Sequence, residues 1–183
     1  MDDREPIRRM KEGEIGGLEV LVHRYQTKAM RAAFLVTRDE TLSEDIVQDT
    51  FIRLFQRIRH FDDSRPFEPY LMRSVVNAAL NAVRRDRNSV SLDADPGLLE
   101  SLLEHAASVE AQVEFGQLAE ELLLALSRLS PRQRAVVVQR YYLELSEQEM
   151  AQAMDAAPGT IKWLLHAART RLRELLGSER SAG

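Results

Sequence analysis

The chain contains no cysteine, so neither a disulfide framework nor a thiolate metal site can brace it. No apolar run approaches the roughly 20 residues of a membrane-spanning helix. The first residues, MDDREPIRRMKEG, are charged throughout and lack the apolar stretch of a signal peptide. The expectation is therefore a soluble, cytoplasmic protein with no membrane insertion. Glycine-rich phosphate loops and nucleophile elbows are also missing. The four histidines, His23, His60, His105 and His166, lie too far apart in sequence to form a metal-spaced pair. No catalytic residue, metal or cofactor is expected, which disfavours an enzyme.

Positive charge is missing from one stretch only. Residues 91–121 hold no lysine or arginine but eight acids: Asp93, Asp95, Glu100, Glu104, Glu110, Glu114, Glu120 and Glu121. Residues 1–90 carry a net +1 and residues 122–183 a net +3, so the overall charge of −4 arises in the middle. Such asymmetry speaks of partners more than of fold. Ser89 to Ser108, with Pro96-Gly97 and scattered acids, reads as a linker. Self-repulsion alone would keep such a spacer extended. The fold class expected is all-α: two small helical domains joined by an acidic linker, with limits at 1–90, 91–108 and 109–183.

The N-terminal block is helical in pattern. Leu18, Leu21, Val22, Tyr25, Ala29 and Ala32 keep helical spacing. The next helix is expected to begin at Ser43, with Val47, Phe51, Leu54, Phe55 and Ile58 as its apolar stripe. The opposite side collects Asp45, Gln48, Asp49, Ile52 and Gln56. An isoleucine among acids and amides suits a docking surface for another helix, although most lone surface isoleucines carry no function. Pro66 and Pro69 are expected to keep the following segment in a loop until Tyr70. From there to Arg85, one arc takes Tyr70, Arg73, Asn77, Asn81 and Arg84, and the remainder is nearly all apolar. Asparagine presents a donor and an acceptor to a base edge, arginine neutralises phosphate, and an aromatic ring stacks on bases. A strip that merely faces water would show the same residues.

Regular spacing resumes from Val109 through Val113, Leu118, Leu122, Leu126 and Leu129. Beyond it, Ser146 and Glu149 form the sequence signature of a capping box. A turn at Asp155-Ala156-Ala157 precedes Pro158, which opens a further helix with its φ already set. Ile161, Leu165, Ala168, Leu172 and Leu176 form the buried stripe of that helix, opposite Lys162, Trp163, His166, Arg169, Thr170 and Arg173. Capped helix, tight turn and basic second helix together read as a helix-turn-helix that offers its second helix to a DNA major groove. An ordinary helical hairpin with a solvated basic side is the plainer alternative.

Four segments in order carry a family resemblance that covers nearly the whole chain. SEDIVQDTFIRLF is similar to the acidic helix with which bacterial extracytoplasmic-function sigma factors dock on the clamp helices of RNA polymerase. FDDSRPFEPYLMRSVVNAALNAVRR resembles the loop and helix that open and read the minus-ten promoter element. LSPRQRAVVVQRYYLELSEQEMA and PGTIKWLLHAARTRLRELL resemble the domain that reads the minus-thirty-five element. The resemblance implies polymerase contacts at Asp45, Gln48, Asp49, Ile52 and Gln56. It implies minus-ten contacts at Phe61, Ser64, Phe67, Tyr70, Arg73, Asn77, Asn81, Arg84 and Arg85. For the minus-thirty-five element it implies Thr160, Lys162, Trp163, His166 and Arg169. The partners implied are the β and β′ subunits of core polymerase, promoter DNA and an anti-sigma protein. An acidic linker would then lie in polymerase channels built to hold polyanions.

The chain departs from the family pattern at several positions. Tyr70 stands where tryptophan is usual and Asn81 where aspartate is common. Leu164 and Ala167 replace common arginines, and Ala157 replaces a common serine cap. The expectation is a recognition helix that makes fewer phosphate contacts and a more apolar approach through Trp163 and Leu164. Three other readings remain. A response-regulator-like factor would need βαβ alternation, which the N-terminal block lacks. An enzyme would need a constellation not found here. A sigma-derived regulatory or interaction protein with weakened promoter reading would keep these segments.

Overall fold

The computed structural model describes residues 2–85 and 121–180, and the region between them, with the linker and the spacing from Val109 to Leu118, lies outside the described residues. Every regular element described is helical, and no strand occurs among the described residues. In chain order these are α1 (Arg4–Lys11), α2 (Ile15–Thr37), α3 (Glu40–Arg57), α4 (Phe67–Arg85), α5 (residues 121–127), α6 (Pro131–Val137), α7 (Glu147–Ala153) and α8 (Pro158–Arg180).

Helix α2 is the axis of the first half and packs against α1, α3 and α4. Its buried small residues, Ala29, Ala32 and Ala33, let the neighbouring helices approach closely. Near its start, Gly17 sits so close to α1 that a Cβ there would meet the Pro6 carbonyl oxygen at 2.4 Å. The N-terminus is tied down by Asp3, which accepts hydrogen bonds from Arg24 and, at 2.7 Å, from the Tyr25 hydroxyl. Burial, then Asp3, pushes the Tyr25 phenol up to about 12.

Helix α2 ends when Arg38 turns into the left-handed region with φ 64°. That reversal lets α3 begin at once. Its cap is Asp39, whose carboxylate accepts from the Leu42 N–H at 2.8 Å. The helix thus starts three residues before the expected Ser43. Ser43 is buried inside the first turn, its hydroxyl shared between Thr37 Oγ1 and the Asp39 carbonyl. Likewise α4 starts at Phe67, before Pro69. A proline in the first turn removes an N–H that has no intrahelical partner there anyway.

In the second half the capping boxes fix the turns. Ser130 and Gln133 exchange bonds at the start of α6, behind Pro131, and Ser146 and Glu149 do so at the start of α7. Helix α6 runs on into one turn of π-helix, Val138–Tyr142. Asp155, at φ 47°, makes the turn into α8.

The two halves each have a buried cluster, and apolar packing also runs between them. Ala135 of α6 and Val138 of the π-helical turn after it belong to the same buried cluster as Leu21, Phe51 and Leu71, and Tyr142, Leu143 and Met154 pack against it. Val136, on another side of the same helix, joins Met150, Ile161, Leu164 and Leu165 in the core of the second half. The physical reason is the run Ala135-Val136-Val137-Val138, which leaves α6 no polar side there and so requires cover all round.

Arg134 spans the seam. It is 7% exposed. Its Nε donates to the Val36 carbonyl at 2.8 Å, and its Nη1 donates to the carbonyls of Leu129 at 2.9 Å and Ser127 at 3.4 Å. The acceptors lie near the ends of α2 and α5, where the helix dipole is negative. Burial, with Arg38 nearby, lowers the Arg134 guanidinium to about 10. Replacing Arg134 with Met keeps most of the stem and deletes three hydrogen bonds, of which the one to Val36 crosses the seam. We expect a loss of about 1–3 kcal/mol, the range for hydrogen bonds to a charged group, read by urea denaturation. Unchanged stability would mean that burying the charge costs as much as its hydrogen bonds return.

Candidate nucleic-acid and polymerase interface

Three surfaces carry the residues singled out by the sequence. On α3, Asp45, Gln48, Asp49, Ile52 and Gln56 are all exposed, while Val47, Phe51 and Leu54 on the other side are buried. Ile52 is 52% exposed at the centre of this ring of acids and amides. Asp49 pairs with Arg53 at 3.3 Å across one helical turn.

The second surface is the loop 61–66 with one side of α4. Its aromatics do not all face outward. Phe61 and Phe67 are buried, ring edge against ring face at 5.7 Å, with Tyr25 beyond at 6.1 Å from Phe67. These two phenylalanines anchor the loop in the core, so the expectation of DNA contacts through their rings is corrected. Tyr70 stays on the surface at 40% exposure, its ring tilted on Phe61 at 5.1 Å. Lys11 clamps the loop from α1, donating to the Phe61 carbonyl at 2.9 Å and to Asp63 at 2.7 Å. Asp62 accepts from both the N–H and the hydroxyl of Ser64, and these bonds hold its carboxyl below the usual range. Ser64 is exposed, with its hydroxyl proton engaged.

Along α4, Tyr70, Asn81, Arg84 and Arg85 are exposed, but the middle of the strip is covered. Arg73 Nη2 donates to Glu149 Oε1 of α7 at 2.8 Å, and Asn77 Nδ2 donates to the carbonyl of Ala153 at the end of α7. Glu149 was singled out only as a cap, and Ala153 not at all. No local pattern couples residues 76 positions apart.

The third surface is the outer side of α8. Lys162, Trp163, His166, Arg169, Thr170 and Arg173 are exposed, and Thr160 is half-buried. Behind them Ile161, Leu165 and Ala168 are buried. Leu164 is buried with them at 5% exposure, so the expected apolar approach through Leu164 is corrected. Three residues after Ile161 and four before Ala168, it continues the buried stripe, a periodicity readable in the sequence. Trp163, 66% exposed, is the apolar group on this side. Tyr141, 57% exposed and not singled out from sequence, accepts from Arg169 Nε at 2.7 Å. The Arg169 guanidinium carbon lies 5.8 Å from its ring centre. Lys162 sits 3.9 Å from Glu147, in the first turn of α7. The outer side of α8 thus presents cations to solvent, with Arg169 held by Tyr141, a geometry that fits phosphate and base contacts in a groove.

Comparison with known proteins agrees with this layout. Residues 21–89 match the family Sigma-70 region 2, and residues 119–172 match Sigma-70, region 4. The chain is 33% identical over 172 residues to an RNA polymerase sigma-E factor of Streptomyces avermitilis, covering 92% of this chain and 90% of that protein. It is 30% identical over 158 residues to the ECF RNA polymerase sigma factor SigM of Bacillus subtilis, covering 86% and 94% respectively. Among solved structures, CnrH in complex with the cytosolic domain of CnrY shares the fold, with a TM-score of 0.63 at 24% identity over 96% of this chain and 97% of that one. Two family regions in order, with relatives at 30% identity or more along most of both chains, show that the chain belongs to the extracytoplasmic-function sigma factors of the sigma-70 family, which bind RNA polymerase and direct transcription initiation at particular promoters.

Proposed function

We propose that each of the three surfaces has one task within that role. The exposed side of α3 docks on core polymerase, in contact with β and β′. The strip on α4 and its loop reads the minus-ten element, and the outer side of α8 reads the minus-thirty-five element. The observation that carries this reading is Ile52, more than half exposed within a ring of acids and amides on a helix otherwise anchored in the core. An apolar centre with a polar rim is the composition of an interface. Sequence limits at 1–90 and 109–183, with an acidic linker at 91–108, divide these tasks between two domains. The protein acts as an initiation factor without chemistry of its own, in the cytoplasm where core polymerase works. An anti-sigma protein is its further partner. Solved relatives of the same fold, such as CnrH with the cytosolic domain of CnrY, support this by analogy. The promoter-reading role is favoured over a sigma-derived protein that no longer reads DNA because five polar or aromatic side chains stay exposed on α8 from Lys162 to Thr170.

Replacing Ile52 with Glu tests the docking surface. Because the side chain is exposed, thermal melting should move by no more than about 0.5 kcal/mol in stability. Core affinity should fall by at least about 2 kcal/mol, roughly thirtyfold, as for a residue at the centre of an interface. A folded variant with unchanged affinity removes α3 from the interface.

The DNA assignments separate by selectivity. In holoenzyme, Asn77→Ala should relax base preference within the minus-ten element by about 1–3 kcal/mol. Arg84→Ala should weaken all promoters alike and reduce the salt slope by about one. If both variants keep wild-type selectivity and opening, another element reads the minus-ten strand. On α8, Tyr141→Phe should weaken binding to minus-thirty-five duplex DNA by about threefold by freeing Arg169, less than the value of one hydrogen bond to a charged group because Tyr141 only positions the cation. Equal binding by Tyr141→Phe and wild type, beside a clear loss in Arg169→Ala, would show that Arg169 needs no positioning.

A further inference from the structure

The cations on α8 stand to one side of its exposed arc. At about 100° per residue, Lys162, Arg169 and Arg173 lie about 80–120° round the helix from Trp163, all on the same flank. Ala167 and Thr170 fall within about 40° of Trp163, and His166 lies between the two groups. Leu164, buried, bounds the arc on the other flank. The line through Trp163 is therefore uncharged until Glu174, which pairs with Arg171 at 3.1 Å. Arg169 turns onto the ring and hydroxyl of Tyr141, and Lys162 lies 3.9 Å from Glu147. Both cations are thus drawn off the indole, which stays 66% exposed.

We propose that Trp163 is a specificity-determining residue that selects thymine in the major groove of the minus-thirty-five element. The proposal rests on the assignment of α8 as reader of that element. The indole offers one donor, its Nε1–H, no acceptor, and an apolar edge. In the major groove thymine alone sets an acceptor, O4, beside a methyl group. Cytosine presents a donor, which the indole has nothing to accept, and adenine presents a donor beside its acceptor. Guanine offers two acceptors, which a forked cation satisfies best, and the line through Trp163 holds no cation.

The placement of the residue agrees with its chemistry. A helix whose cations stand on one flank lays that flank along phosphates and turns its uncharged line to the bases. Trp163 lies in the second turn of α8, within the N-terminal part with which a recognition helix contacts base edges. Ala167, one turn on, is small and leaves room beside the indole for a methyl group. Covering the indole with that methyl removes apolar surface of both from water.

The test uses holoenzyme assembled from the full-length chain and core polymerase, with promoter duplexes randomised across the minus-thirty-five region. Wild type should select an A·T pair in fixed orientation. Uracil in place of its thymine deletes only the methyl group and should weaken binding about fourfold, the value of one buried methyl. Methylated cytosine, paired with guanine, keeps the methyl but replaces O4 with an amino donor, and should weaken binding at least about tenfold. Trp163→Phe keeps an apolar ring without the N–H, so it should stay sensitive to uracil and lose most of its discrimination against methylated cytosine. Trp163→Ala should bind the thymine and uracil duplexes equally. Because the side chain is exposed, both variants should melt close to wild type. Selected duplexes without a fixed thymine, or equal wild-type affinity for thymine and uracil, overturn the proposal. So does a Trp163→Ala variant that keeps the thymine preference but loses core affinity, which would make the indole a protein contact. If Arg169→Ala weakens duplex binding while uracil has no effect in wild type, α8 still reads the element and the thymine assignment falls. If Lys162→Ala, Arg169→Ala and uracil all change nothing, the assignment of α8 itself has failed.

Discussion

A single short helix must be covered on every side, and the arrangement of the molecule follows from that constraint. Between Ala135 and Val138, α6 offers no polar face, and three of these four residues are fully or almost fully buried. One side completes the helix-turn-helix core and another completes the core around α2. Neither half alone can dry both sides. The hydrophobic effect scales with area and is indifferent to partner, so it draws the halves together without choosing their register. Direction comes from polar groups: Arg134 on the ends of α2 and α5, Arg73 on Glu149, and Asn77 on the Ala153 carbonyl.

This division between apolar attraction and polar registration bears on how a promoter-specificity factor handles DNA. The surfaces on α3 and α8 are exposed, whereas the centre of the α4 strip is partly covered. Partners that meet the first two surfaces need no rearrangement. Arg73 and Asn77 are instead engaged by Glu149 and the Ala153 carbonyl of α7.

What could be read from the sequence was what local chemistry decides. The two-helix signal in the second half rested on Ser146, Glu149 and Pro158, each acting within four residues, and α7 and α8 begin where those residues put them. The exposed ring around Ile52 and the cationic side of α8 followed from periodicity alone. Errors came where a neighbour far along the chain decides. Asp39 outcompetes Ser43 as cap because Arg38 reverses the chain just before it. The resemblance offered Phe61 and Phe67 to DNA, yet the two rings pack on each other in the core and that of Tyr25, about 40 residues earlier, packs on Phe67. The apolar run in α6 did hold a clue to the shared core.

The chain has one tryptophan, and it stands on α8 with two thirds of its surface in water. In most globular proteins indole fluorescence follows the core. Here it follows the outer side of α8 alone. Unfolding moves Trp163 from one aqueous setting to another and changes its emission colour little, whereas docking of a partner on α8 removes water from the ring. The protein therefore carries an intrinsic optical reporter of engagement at one surface, insensitive to the state of the core behind it.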